Sequence, residues 1–61
     1  MNREHMREVL QKRINHNNRC YEKATSTQSM DTFLAHLFES INIAKELGFT
    51  VTELEDGYVV K

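Results

Sequence analysis

The sequence predicts an α+β fold: a helical hairpin followed by a C-terminal two-stranded β-hairpin, in the order α-α-β-β. Apolar residues recur with a helical period in two stretches, 3–25 and 30–47. Alternating polar and β-branched residues then run through 49–60 around a turn dipeptide. A chain of 61 residues forms one domain at most, so we treat residues 1–61 as a single domain.

The first predicted helix spans residues 3–25. Its apolar stripe consists of Met6, Leu10, Ile14, Tyr21 and Ala24. Asn2 is suited to cap its N-terminus, and Glu4 suits the positive end of the helix dipole. The segment 15–18 is Asn-His-Asn-Asn, which is weak for a helix, but the stripe continues in phase across it. We therefore predict one helix, with a break near Asn17 as the alternative.

Asn17 falls near the centre of this apolar stripe, and Arg13 falls at its edge. One interpretation places Asn17 where the stripe meets solvent or caps a bend, as Asn is usually exposed. The other interpretation is a buried Asn that sets the register between paired helices.

The second predicted helix spans residues 30–47. Its main apolar face consists of Met30, Phe33, Leu34, Leu37, Phe38, Ile41 and Ala44, which we expect to be buried. The small polar residues 24–29 form the connection, and Ser26, Thr27 and Ser29 are all suitable N-caps. A connection this short predicts antiparallel neighbouring helices.

The end of the second helix is the clearest local signal. Gly48 fits the left-handed C′ position of a Schellman motif, with Phe49 as the C″ residue that folds back on Ala44. Ile43 and Leu47 form a second apolar strip, near His36 and Ser40, which either the hairpin or a partner chain would cover.

The predicted β-hairpin spans residues 49–60. Asp56-Gly57 suggests a type I′ turn, since both central positions of that turn need positive φ. This turn predicts the pairs Glu55/Tyr58, Leu54/Val59 and Glu53/Val60. One face then collects Phe49, Val51, Tyr58 and Val60, and the other collects Leu54 and Val59. Because a two-stranded hairpin is marginal alone, it must lie on the helices, and its edges could pair with another chain.

The segment Ala44-Lys45-Glu46-Leu47-Gly48-Phe49, followed by a hairpin ending Gly57-Tyr58-Val59-Val60, resembles the helix-plus-wing half of winged-helix domains. The resemblance implies a three-helix core, which would require breaking the first helix at Asn17. We assign no family on this basis.

No motif in the chain predicts catalysis, a cofactor or a metal. His16 and Cys20 are four residues apart and could reach one ion, but zinc needs three or four protein ligands. We therefore expect a non-enzymatic protein without cofactor. One cysteine forms no internal disulfide, no apolar run of about 18 residues could span a membrane, and no secretory signal begins the chain. These features favour a cytoplasmic protein.

The first half of the chain is basic and the second half is acidic. Residues 1–26 carry six Lys and Arg against three Glu, a net charge of +3, and residues 27–61 carry two Lys against six Asp and Glu, a net charge of −4. A basic face of the first helix is a candidate anion-binding surface, and it consists of Lys12, His16, Arg19 and Lys23.

These observations favour a small protein–protein interaction module, by analogy a regulator or inhibitor of the kind encoded by phages or other mobile elements. The alternative is a small nucleic-acid-binding transcriptional regulator that uses the basic first helix. A core this small often needs support, so we also expect a homodimer. The residues predicted to bind a second copy or another protein are Ile43, Leu47, Leu54 and Val59.

Overall fold

The computed structural model describes residues 2–61 and has the predicted α-α-β-β order. Helix α1 spans Arg3–Lys23 and helix α2 spans Thr27–Glu46. Strands β1 (Val51–Leu54) and β2 (Gly57–Val60) form an antiparallel hairpin. The two helices pack against each other, and the hairpin lies on them with β2 mainly against α1. Neither helix between residues 2 and 61 is long and apolar enough to cross a bilayer.

Helix α1 is uninterrupted across its Asn-rich segment, so the alternative of a break near Asn17 is wrong. The three-helix core that a winged-helix domain requires is therefore not formed by residues 2–61. The side chain of Asn2 accepts a hydrogen bond of 2.8 Å from the His5 amide, which confirms it as the N-cap. The helix ends at Lys23, before the predicted end at residue 25, because Ala24 adopts an extended conformation.

Helix α2 begins at Thr27, three residues before the predicted start at Met30. Ser26 is the N-cap used among the three candidates, and its Oγ accepts a hydrogen bond of 3.1 Å from the Ser29 amide. This earliest cap satisfies a free amide of the first turn and lets residues 27–29 join the helix. Only residues 24–26 remain as the connection.

The Schellman motif at the end of α2 is confirmed. Gly48 has φ +92°, its amide donates to the Lys45 carbonyl at 3.0 Å, and the Phe49 amide donates to the Ala44 carbonyl at 3.0 Å. Arg3 adds a contact from the start of α1, since its guanidinium donates to the Gly48 carbonyl at 2.9 Å and lies 4.1 Å from the centre of the Phe49 ring. The start of α1 is thereby tied to the end of α2.

The predicted register of the hairpin is wrong by two residues. The observed pairs are Val51/Val60, Thr52/Val59, Glu53/Tyr58 and Leu54/Gly57, so Glu55 and Asp56 form the turn. Neither turn residue nor Gly57 has positive φ, which excludes the predicted type I′ turn. A shift of two residues keeps each side chain on its predicted face of the strand, and Val51, Tyr58 and Val60 still face the core.

The hydrophobic core is small and lies between the two helices and the inner face of the hairpin. It consists of Leu10, Ile14, Leu37, Ile41, Ala44, Phe49 and Val60, with Met6, Val51 and Tyr58 packed against it. Two residues predicted to be buried are exposed instead, namely Met30 and Phe38, which is 51% exposed. The two-stranded hairpin therefore covers only part of the wide apolar face of α2.

Candidate functional site

A groove of about 490 Å³ lies between α1 and α2, and no strand residue lines it. Residues from successive turns of each helix form its walls, as expected for side chains spaced three and four apart. From α1 these are Val9, Lys12, Arg13, His16 and Asn17, and from α2 they are His36, Glu39, Ser40 and Ile43.

A hydrogen-bonded cluster of Asn17, His36 and Ser40 joins the two helices within the groove. The Asn17 amide donates to Ser40 Oγ at 2.8 Å and to the His36 carbonyl at 3.3 Å. The buried Ser40 hydroxyl in turn donates to the His36 carbonyl at 2.9 Å. Asn17 is half-buried and bonds across the helix pair, so it fixes the helix alignment within one chain.

Apolar and cationic side chains lie together in this groove. Val9 and Ile43 are both exposed, and Ile43 is 41% exposed. Lys12 and Arg13 are also exposed, and neither forms an ion pair with any residue between 2 and 61. Glu39 is the single carboxylate among the lining residues. The groove can therefore accept a ligand that carries both apolar and acidic groups.

The ion pair that residues 2–61 do form is between Arg7 and Glu4, on the first turns of α1. The Arg7 Nη2 lies 2.7 Å from Glu4 Oε1, and this hydrogen bond lowers the pKa of the Glu4 carboxyl and raises the pKa of Arg7. Arg7 also donates to the Val60 carbonyl at 3.3 Å, so the pair helps to seat β2 rather than line the groove.

The structure does not bring the four predicted partner-binding residues into one patch. Ile43 lines the groove, and Leu47 lies at the end of α2, where its carbonyl accepts a hydrogen bond from Arg3. Leu54 instead lies near the hairpin turn, in a hollow it shares with Asn18. Arg3 and Asn18 are about 22 Å apart along α1 at 1.5 Å per residue, so Leu47 and Leu54 lie far apart. Val59 is half-buried on the outer face of β2, opposite Thr52.

The four predicted anion-binding residues are all exposed on α1, but they do not share one cavity. Lys12 and His16 line the groove, whereas Arg19 lines a second hollow that it shares with Asp56 near the hairpin turn. Lys23 is the last residue of the helix.

The spacing of His16 and Cys20 does place their side chains in contact, with 3.6 Å between His16 Nε2 and Cys20 Sγ. Among residues 2–61, no three His, Cys, Asp or Glu side chains are grouped closely enough to hold a metal ion. His16 and Cys20 therefore form a two-residue contact on α1.

The sequence analysis missed two residues that join α1 to other elements through hydrogen bonds. Gln11 bonds the backbone of β2, and Arg3 bonds the end of α2. Neither belongs to an apolar stripe or a motif, so no sequence signal marks them. The sequence does contain a weak indication that Val9 lies beside Arg13 and His16. Val9 precedes them by four and seven residues, which places all three on one side of the predicted stripe.

Comparison of the chain with protein-family models, with curated protein sequences and with solved structures finds no match.

Proposed function

We propose that this protein is a non-enzymatic protein–protein interaction module, and that the groove between α1 and α2 binds an acidic, amphipathic segment of its partner. The observation that carries this proposal is the joint exposure of Val9 and Ile43 beside two cations, Lys12 and Arg13, that form no ion pair within residues 2–61. Through such binding the protein would regulate or inhibit the partner.

The chemistry of the groove supports this class of ligand. An amphipathic helix laid along a groove uses its apolar face for affinity, and the exposed Val9 and Ile43 match such a face. Carboxylates flanking that face would meet Lys12 and Arg13, which increases the association rate and selects against basic ligands. The clustered Asn17, His36 and Ser40 hold the walls at a fixed spacing, so little ordering accompanies binding.

A displayed library of helical peptides, selected on the immobilised protein, tests this proposal. We expect the enriched peptides to combine apolar residues with Asp or Glu, and their binding to fall strongly for the Ile43→Asp and Lys12→Glu variants. Leu54→Asp is the matched control, because Leu54 is similarly exposed, at 48%, but lies outside the groove. Peptides that bind the Ile43→Asp and Leu54→Asp variants equally well would contradict the groove as the binding site.

Nucleic-acid binding is the second candidate function, and the exposure of Lys12, His16, Arg19 and Lys23 on α1 favours it. Replacing Lys12, Arg19 and Lys23 with Gln should then weaken binding equally for all sequences and flatten its salt dependence. An electrophoretic mobility assay at low salt decides this, and the absence of any retarded band rejects the candidate.

We further propose a cytoplasmic location and an origin among the small regulators that phages or other mobile elements encode. The origin is supported by composition and size alone.

A further inference from the structure

Side chains of α1 form hydrogen bonds to one outer edge of the β-hairpin but not to the other. Along β2, the Gln11 side chain pairs with the backbone as a neighbouring strand would. Its Nε2 donates to the Tyr58 carbonyl at 2.8 Å, and its Oε1 accepts from the Val60 amide at 2.8 Å. Arg7 donates to the Val60 carbonyl at 3.3 Å. This edge of the sheet is closed by α1.

The outer edge of β1 is open. The Lys61 amide donates to the Thr50 carbonyl at 2.8 Å, so the alternation of an antiparallel ladder directs the backbone groups of Thr52 and Leu54 toward β2. The amides and carbonyls of Val51 and Glu53 therefore point away from β2. No side chain or loop backbone group between residues 2 and 61 is hydrogen-bonded to them. Unpaired edge groups of this kind are a template for another strand.

We propose that this edge binds the same edge of a second copy of the chain, which produces a homodimer with a continuous four-stranded sheet. The two β1 strands would run antiparallel about a two-fold axis at Thr52. Val51 of each copy would then pair with Glu53 of the other, and all four outward amides and carbonyls at each edge would gain a partner. A two-fold axis uses the same patch twice, and this edge is complementary to itself.

The charged and exposed apolar side chains beside the edge suit a second copy. Lys45 and Glu53 line one hollow of about 290 Å³ next to β1, and neither forms an ion pair within residues 2–61. In the dimer, Glu53 of each copy lies beside Val51 of the other, in reach of the other copy's Lys45. Phe38 lines the same hollow and is 51% exposed. The second copy would therefore cover an apolar side chain that the hairpin of the first copy leaves exposed. On the outer face, the two Thr52 side chains would form a favourable cross-strand pair.

This interface is separate from the groove of the proposed function, because the two share no lining residue. It also differs from the predicted dimer patch, since Ile43, Leu47, Leu54 and Val59 do not line the hollow beside β1.

Sedimentation equilibrium and amide hydrogen exchange over a range of protein concentrations test the dimer without any other partner. We expect a dimer at high concentration, together with slowed exchange of the Val51 and Glu53 amides. The Thr52 amide is the internal control, because it faces β2 and should be protected at every concentration.

A charge-swap experiment tests the specific pairing. Lys45→Glu and Glu53→Lys should each raise the dimer dissociation constant by roughly tenfold or more, because like charges then face each other. Mixing the two variants should restore association, since both contacts of the mixed dimer again join opposite charges. Lys23→Glu is the matched control with the same charge change on the exposed end of α1, and it should dimerise like the unmodified protein.

Three outcomes would overturn the proposal. The first is a 7.2 kDa species that persists at high concentration. The second is a dimer in which the Val51 and Glu53 amides remain unprotected, which would place the interface elsewhere. The third is a mixture of Lys45→Glu and Glu53→Lys that associates no better than either variant alone.

Discussion

Gly48 is the one residue between 2 and 61 whose backbone has positive φ, at +92°. A Cβ added there would lie 3.6 Å from the nearest Arg3 guanidinium nitrogen, which is an ordinary contact. The cost of Gly48→Ala therefore comes from the backbone conformation, and we expect it to lower the free energy of unfolding by about 1 kcal/mol or more. Thermal denaturation of the two proteins measures this.

Gly57→Ala is the matched control for that measurement. Gly57 has no positive φ, and its added Cβ would lie 3.8 Å from Asn18 Nδ2, so the substitution meets neither strain nor a clash. We expect its midpoint to equal or exceed that of the unmodified protein, because Ala restricts the unfolded chain more than Gly does. A loss as large as that of Gly48→Ala would mean that Gly57 also needs a backbone conformation that only glycine adopts readily.

Among the helices and strands, Gln11 of α1 makes the shortest side-chain hydrogen bonds that join a helix to the hairpin. Gln11 supplies both a donor and an acceptor to β2, each at 2.8 Å, and Tyr58 and Val60 are partly or fully buried. Gln11→Met keeps the length of the side chain but leaves these two backbone groups without a partner. We expect it to reduce the free energy of unfolding by about 1–3 kcal/mol.

Urea denaturation measures this change, and hydrogen exchange locates it. The Val60 amide should exchange faster in Gln11→Met, whereas amides in the middle of α2 should change only with global stability. Lys12→Met serves as the control, since Lys12 is the exposed neighbour of Gln11 and contributes no hydrogen bond to β2. Equal stability of the two variants would contradict the role given to Gln11.

At the scale of the whole molecule, stability depends on a core of few residues. Leu37 is 1% exposed and lies at the centre of α2, so Leu37→Ala should cost about 2–5 kcal/mol. A domain of this length has a total stability of about 3–9 kcal/mol, so that variant should lose a large part of its stability and melt far below the unmodified protein.

Phe38→Ala is the neighbouring comparison. Because Phe38 is half exposed, we expect this substitution to lower the free energy of unfolding by only about 1.5–2.5 kcal/mol, roughly half the loss for a buried aromatic. Circular dichroism during heating distinguishes the two variants. A Leu37→Ala variant that melts at the same temperature as Phe38→Ala would show that the core is centred elsewhere.

Local sequence patterns were enough to predict the helices and strands of this protein and several of their ends. Periodicity and capping are local properties, so the two helices, the Asn2 cap and the Gly48 stop are readable from neighbouring residues. The strand faces were also predictable, because alternation survives a register shift of two residues. The use of Ser26 as the N-cap could not be predicted, because all three candidate residues are chemically suited to that position.

Which surfaces of the molecule are covered and which are exposed depends on the packing of the helices and the hairpin. Gln11 closes the edge of β2 from 47 residues away in sequence, and the edge of β1 has no equivalent. The hairpin leaves Phe38 exposed, and the packing of α1 on α2 places Val9 and Ile43 in one groove with Lys12 and Arg13. Both features depend on how the helices and the hairpin are placed relative to one another, and that placement cannot be read from the residues next to each position in the sequence.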